Sequence, residues 1–136
     1  MTLRVYLPTT RAGLAALVET GRMEGPLTAH AVTEALRQEW PEADDEQAEY
    51  AALMAAADTS RELAATAGER RRTVVAADVA DEAVDPVTSE VDPTLVTLTT
   101  AVSWRQVAAA LVDVADDAND DDDLAWFASQ EIADLI

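Results

Sequence analysis

Apolar residues recur along this chain with two different periods, and the switches between them mark out the elements. Leu3, Val5 and Leu7 alternate with Arg4 and Tyr6 until Pro8, the period-two signature of a strand. Thr9 or Thr10 then caps a helix whose inner face is Leu14, Leu17 and Val18, and Gly21 stands where a glycine ends a helix. Gly25-Pro26 marks a turn. Residues 29–33 read as a short strand, followed by a helical turn through Leu36 and Trp40 that Pro41 breaks.

The longest periodic stretch runs from Asp44 to about Ala67. Asp44 and Gln47 have capping-box spacing, and Asp44, Asp45 and Glu46 suit the positive end of a helix. Its expected inner stripe is Tyr50, Leu53, Met54, Ala57 and Ala64, and Gly68 ends it. Ala51, Ala52, Ala55, Ala56 and Ala57 permit a close approach to a sheet. Arg70, Arg71 and Arg72 precede a strand over 74–79. Residues 81–93, with Asp85-Pro86 and Asp92-Pro93, read as an exposed loop, and 95–102, rich in Thr and Val, as a strand. Residues 107–114 fit a helix capped by Ser103 and Gln106, yet they also alternate as a strand, and the local pattern leaves both open. A last strand is expected over 124–128, with Ser129 capping a short helix that ends at Ile136.

Composition changes this picture in three ways. Apolar residues make up 49% of the 136 positions but aromatics only 4%, so one domain is expected with a core of Leu, Val and Ala. Trp40, Trp104 and Trp126 are then expected as its bulky plugs. The absence of cysteine excludes disulfides and thiolate chemistry. No stretch approaches the roughly 20 apolar residues of a membrane span, and the N-terminal residues have no signal-peptide core. A soluble, cytoplasmic protein is expected.

Charge removes whole function classes. The formal net charge is −18, and six of the eight residues from Asp116 to Asp123 are aspartate. Such a surface opposes direct nucleic-acid binding and unaided adsorption to an anionic membrane. The basic residues are nine arginines with no lysine, which fits GC-rich codon usage better than adaptation to high salt. The acidic run reads as a solvated loop. Asp117, Asn119 and Asp121 imitate the start of a calcium loop, but Asp122 replaces its turn glycine and Ala128 its bidentate glutamate. No metal and no cofactor are therefore expected.

His30 is the single histidine, and no nucleophile-elbow pattern surrounds any serine. A structural, hydrogen-bonded role is favoured for it over general acid–base work. Arg70, Arg71 and Arg72 form the one cationic cluster. They are suited to gripping a phosphate or an acidic segment, although compensation of the long helix's negative end is the plainer reading. Trp126 is the other candidate contact residue, with a core role favoured over an interface. No catalytic residue is assigned.

The segments LRVYLPTT (residues 3–10) and LAWFASQEIADL (residues 124–135), with Glu49-Tyr50-Ala51-Ala52-Leu53 between them, resemble an uncharacterised family of short proteins from GC-rich Gram-positive, actinobacterial bacteria. The resemblance covers the whole chain and implies no catalytic residue. It implies a strand over 107–114, and it places Ser129 where the family often has proline.

The expectation is a single α+β domain over residues 1–136. Its mixed sheet has five or six strands with two main helices on one face, an order that permits a ferredoxin-like core. The expected function is that of a non-enzymatic interaction protein with a protein partner or a second copy of itself. Two alternatives are a small-molecule sensor or enzyme with a sheet–helix pocket near His30, and a DNA mimic that occupies a DNA-binding protein.

Overall fold

The computed structural model describes residues 1–135. Strand β1 (Thr2–Thr9) leads into helix α1 (Arg11–Thr20), a two-residue strand β2 (Arg22–Met23) and strand β3 (Leu27–Ala31). Helices α2 (Glu34–Glu39) and α3 (Asp45–Thr66) follow, then strands β4 (Thr73–Ala80), β5 (Val84–Pro86), β6 (Leu95–Leu98), β7 (Val102–Ser103), β8 (Val107–Val112) and β9 (Ala125–Ala128). A 3-10 helix over Ser129–Leu135 closes the described chain. The expected helix end, Ile136, lies outside the described residues.

Seven strands form one sheet in the order β5-β6-β3-β1-β4-β8-β9, and β2 pairs with β7 in a separate ribbon. Every neighbouring pair is antiparallel. The expected mixed sheet of five or six strands is thus corrected to an antiparallel one of seven. The seventh is β5, inside the stretch that reads as an acidic loop, where Asp-Pro pairs mask a short edge strand.

The two main helices lie on opposite faces, which overturns their expected placement on one face and with it the ferredoxin-like arrangement. On one side α1 buries Leu14 and Leu17 against Val5, Leu7, Val75, Val96 and Leu98, and Ile132 of the 3-10 helix completes this layer. On the other, α3 lays Ala52, Ala56 and Ala57 over Tyr6, Val74, Ala76, Ala109 and Leu111. This explains why β1 and β4 are buried on both faces. A bulge between Ala76 and Ala77, opposite Ala109 and Val107, returns Val107 to the α1 side.

Local signals place the helix ends. Thr10 accepts the Gly13 amide at 3.0 Å, and Gly21 adopts φ +80° at the close of α1. Asp44 and Gln47 form the reciprocal capping box of α3. The buried stripe of α3 is Ala48, Ala52, Ala56, Ala57, Ser60 and Ala64, whereas Tyr50 is exposed. The expected stripe is therefore rotated, because the side that approaches the sheet most closely accepts only small residues. Residues 107–112 are strand β8. Ser103 and Gln106 do interact, the Ser103 amide donating to Gln106 Oε1 at 2.8 Å, but they cap a single 3-10 turn over Trp104–Gln106. Of the tryptophans, Trp104 packs against the core, while Trp40 and Trp126 are exposed, contrary to their expected role as plugs.

Candidate functional site

The candidate chemistry lies in three places, two of them buried polar nodes on the α3 side of the sheet and the third an exposed strand edge. The first is His30. It stands opposite Tyr6 in the β1–β3 register and is fully buried. Its Nδ1 lies 2.9 Å from Thr94 Oγ1 and 3.2 Å from Asp92 Oδ2, and its Nε2 lies 3.0 Å from Thr59 Oγ1. The Thr94 hydroxyl donates to Asp92 Oδ1 at 2.5 Å, so Thr94 Oγ1 is free to accept from His30. A neutral ring protonated on Nδ1 fits these contacts, with Nε2 taking the Thr59 hydroxyl proton in place of its longer, 3.3 Å bond to the Ala55 carbonyl. Burial pushes the His30 pKa down, and the nearby Asp92 and Asp58 charges only partly counter it.

Asp92, His30 and Thr59 thus have the connectivity of a carboxylate–histidine–hydroxyl relay. The hydroxyl sits inside helix α3, and none of the three described cavities is lined by His30. The geometry ties β3, α3 and the turn at Pro93 together, where Thr33 also donates to the Pro93 carbonyl.

The second place is the arginine cluster. Arg72 is fully buried and forms a two-pronged pair with Asp113, Nε to Oδ2 at 2.9 Å and Nη2 to Oδ1 at 2.8 Å. Its backbone amide also donates to Asp113 Oδ2 at 2.8 Å. The remaining donors reach the carbonyls of Asp120 (Nη1, 2.9 Å) and Asp122 (Nη2, 2.8 Å). Burial pushes the Asp113 carboxyl up, but the Arg72 hydrogen bonds outweigh it and hold its pKa below the ordinary carboxylate value.

Around this pair Arg71 meets Asp116 at 2.8 Å, and Arg61 of α3 meets Asp120 at 2.9 Å and the Ala118 carbonyl at 2.9 Å. Tyr50 donates to Asp123 at 2.8 Å. The expected solvated loop is therefore a clamped one: its side chains face water, but its backbone is bolted to a buried guanidinium. The acidic segment that Arg71 and Arg72 grip is the chain's own. Arg70 stays exposed. Among the described residues no three acidic or histidine side chains converge as a metal site would require.

The third place is the edge strand β9. Trp126 is 60% exposed and stands opposite Leu111. The Ala128 amide donates to Glu131 Oε1 at 2.9 Å, so it points away from β8. By the two-residue alternation of an antiparallel strand, the Trp126 amide and carbonyl face the same open edge.

Sequence reasoning found His30, Arg70, Arg71, Arg72 and Trp126 but missed Asp113, Arg61, Asp92, Thr94 and Thr59. The structure brings Arg71 and Arg72 to one acidic loop, and places His30 at a separate node. Asp113 carried one signal, as a carboxylate directly following an apolar run of strand length. The threonines carried none.

These features define a class: an antiparallel α+β sheet protein with one main helix on each face and buried polar clamps. The chain belongs to DUF6912, a family of unknown function whose model matches residues 3–136. No curated protein and no solved structure matches it. Among the described residues no helix is long and apolar enough to cross a membrane.

Proposed function

We propose that this chain is a non-enzymatic interaction protein that docks a cationic protein segment on the side formed by β9 and the acidic run. The observation that carries the proposal is the exposed Trp126, on an edge strand that directly follows an acidic run whose backbone is anchored by Arg72. Asp117 and Asp121 have no hydrogen-bond or ion-pair partner among the described residues, so their charge is free for an incoming cation. Aromatic anchors next to complementary charge are the usual composition of interface centres. Clamping through Arg72 lowers the ordering cost that a mobile acidic loop would incur on binding. The cytoplasm is the proposed compartment, in keeping with the absence of cysteine.

Affinity capture from host lysate, followed by titration calorimetry with the purified partner, tests the proposal. The partner should carry an Arg- or Lys-rich segment. Trp126→Ser should weaken it by about 30-fold, the loss typical of a hot-spot aromatic. The paired change Asp117→Asn with Asp121→Asn should weaken it in a salt-dependent way. A partner bound equally well by both variants, or turnover of a metabolite with no partner at all, would overturn the reading.

A further inference from the structure

The arginines are few and the carboxylates abundant, so an arginine without a carboxylate partner is the exception to explain. Among the described residues Arg4, Arg22, Arg37, Arg61, Arg71 and Arg72 each pair with an aspartate or glutamate. Arg11, Arg70 and Arg105 do not, although acidic residues outnumber basic ones 27 to 9. Two of these three meet in one place. Arg11, Gly68, Glu69, Arg70, Arg71 and Asp116 line a groove of about 530 Å³ between the start of α1 and the turn after α3. Arg11 and Arg71 also border an adjoining cavity of about 220 Å³ whose walls mix Leu14, Val112 and Val114 with Asp113, which Arg72 engages, and Asp134.

The carboxylates of this groove are already engaged. Glu69 turns to the α1 backbone, accepting from the Arg11 amide at 2.8 Å and the Ala12 amide at 3.3 Å. Asp116 accepts from Arg71 Nε at 2.8 Å, which leaves the two Nη nitrogens of Arg71 without a described partner. Arg11 spends one Nη on the Leu135 carbonyl at 2.7 Å. The Arg70 side chain has no described hydrogen bond. The α1 amides, being taken by Glu69, contribute little to an incoming ligand. The attraction comes from three guanidinium groups, whose flat forks match the oxygens of a tetrahedral dianion.

We propose that this groove binds a small phosphate-bearing ligand, with Arg11, Arg70 and Arg71 as its donors and the Leu14, Val112 and Val114 wall of the adjoining cavity receiving a short hydrophobic substituent. The site lies at the start of α1 and meets the acidic run at Asp116, while Trp126 lines no part of it. Because the whole protein repels anions, binding is expected to weaken steeply as ionic strength rises, and inorganic phosphate alone to bind in the millimolar range.

The test is a titration of the full chain with inorganic phosphate at low ionic strength, followed by amide chemical shifts. Saturable shifts confined to the amides around residues 11–12 and 68–72 are expected. Arg70→Ala should weaken binding by about tenfold or more, the loss of a charge-assisted donor, while the fold is kept because this side chain is exposed and makes no described hydrogen bond. Arg105→Ala, which removes the unpaired arginine outside the groove, should leave the titration unchanged. Shifts that never saturate, that spread over the whole surface, or that fall equally in the Arg105 variant would overturn the proposal.

Discussion

The two faces of the sheet solve the same packing problem with different materials. Beneath α1 the interface is aliphatic: Val5, Leu7, Leu14, Leu17, Val75, Val96, Leu98 and Ile132 interlock by shape. Beneath α3 it is thin and lined with alanine, and its specificity comes from buried polar links. Tyr6 donates to Glu49 at 2.6 Å, and burial followed by this bond raises its phenol pKa. Ser60 donates to the Thr9 carbonyl and accepts the Thr73 amide, both at 2.7 Å, joining α3 to the ends of β1 and β4. His30 and Arg72 complete the set. An aliphatic layer tolerates any substitution that keeps its volume, whereas a polar layer demands that each donor find its acceptor. The α3 face therefore holds its loops in register, and the α1 face supplies the bulk of the hydrophobic driving force.

The comparison breaks most sharply at Arg72. Arg72→Met leaves Asp113 buried without its counter-charge and should cost about 3–5 kcal/mol in denaturant unfolding. Pairing it with Asp113→Leu should recover much of that loss, since a well-packed apolar pair avoids desolvation altogether. Leu14→Ala on the aliphatic face should cost about 2–4 kcal/mol through the cavity it leaves. Its cost should vary little with pH, because the side chains Leu14 packs against in the core are aliphatic.

Ser60→Ala should cost about 1–3 kcal/mol by orphaning the buried Thr73 amide. The pH dependence separates the faces next. His30 has a lowered folded pKa, so its contribution is complete above the ordinary value of 6.5 and declines as pH falls from there towards the lowered one. The slope should not exceed about 1.4 kcal/mol per pH unit, and His30→Gln should abolish it. Asp113, with a depressed pKa, contributes fully above about pH 4 and loses that contribution as pH falls further. The smallest effect belongs to Trp126→Ser, which should alter stability by less than about 0.5 kcal/mol while impairing partner binding.

Period and capping made most of the fold legible before any coordinates. Strand β1, the Thr10 and Asp44 caps and the Gly21 terminus all follow from residues within a turn of one another. What escaped was set by distance along the chain. The rotation of α3 depends on how close the helix sits to the sheet, and no local signal reports that. The placement of helices on both faces was foreshadowed by the nearly continuous apolar run of β4, a pattern typical of strands covered twice. The acidic run was legible as charge but not as a clamped loop, because its anchors, Arg72 and Arg61, lie 48 and 59 residues away. His30 was legible as a hydrogen-bonded residue. Its partners Thr59 and Thr94 are ordinary threonines until the fold brings them to the ring.

Backbone amide relaxation across residues 116–123 measures directly whether the buried Arg72–Asp113 pair turns the acidic run into a fixed wall. Order parameters near 0.85 at Asp120 and Asp122, matching those of β8 and collapsing in Arg72→Met, are predicted. Values below about 0.6 in the unaltered protein would mean a free acidic tether and would contradict the account.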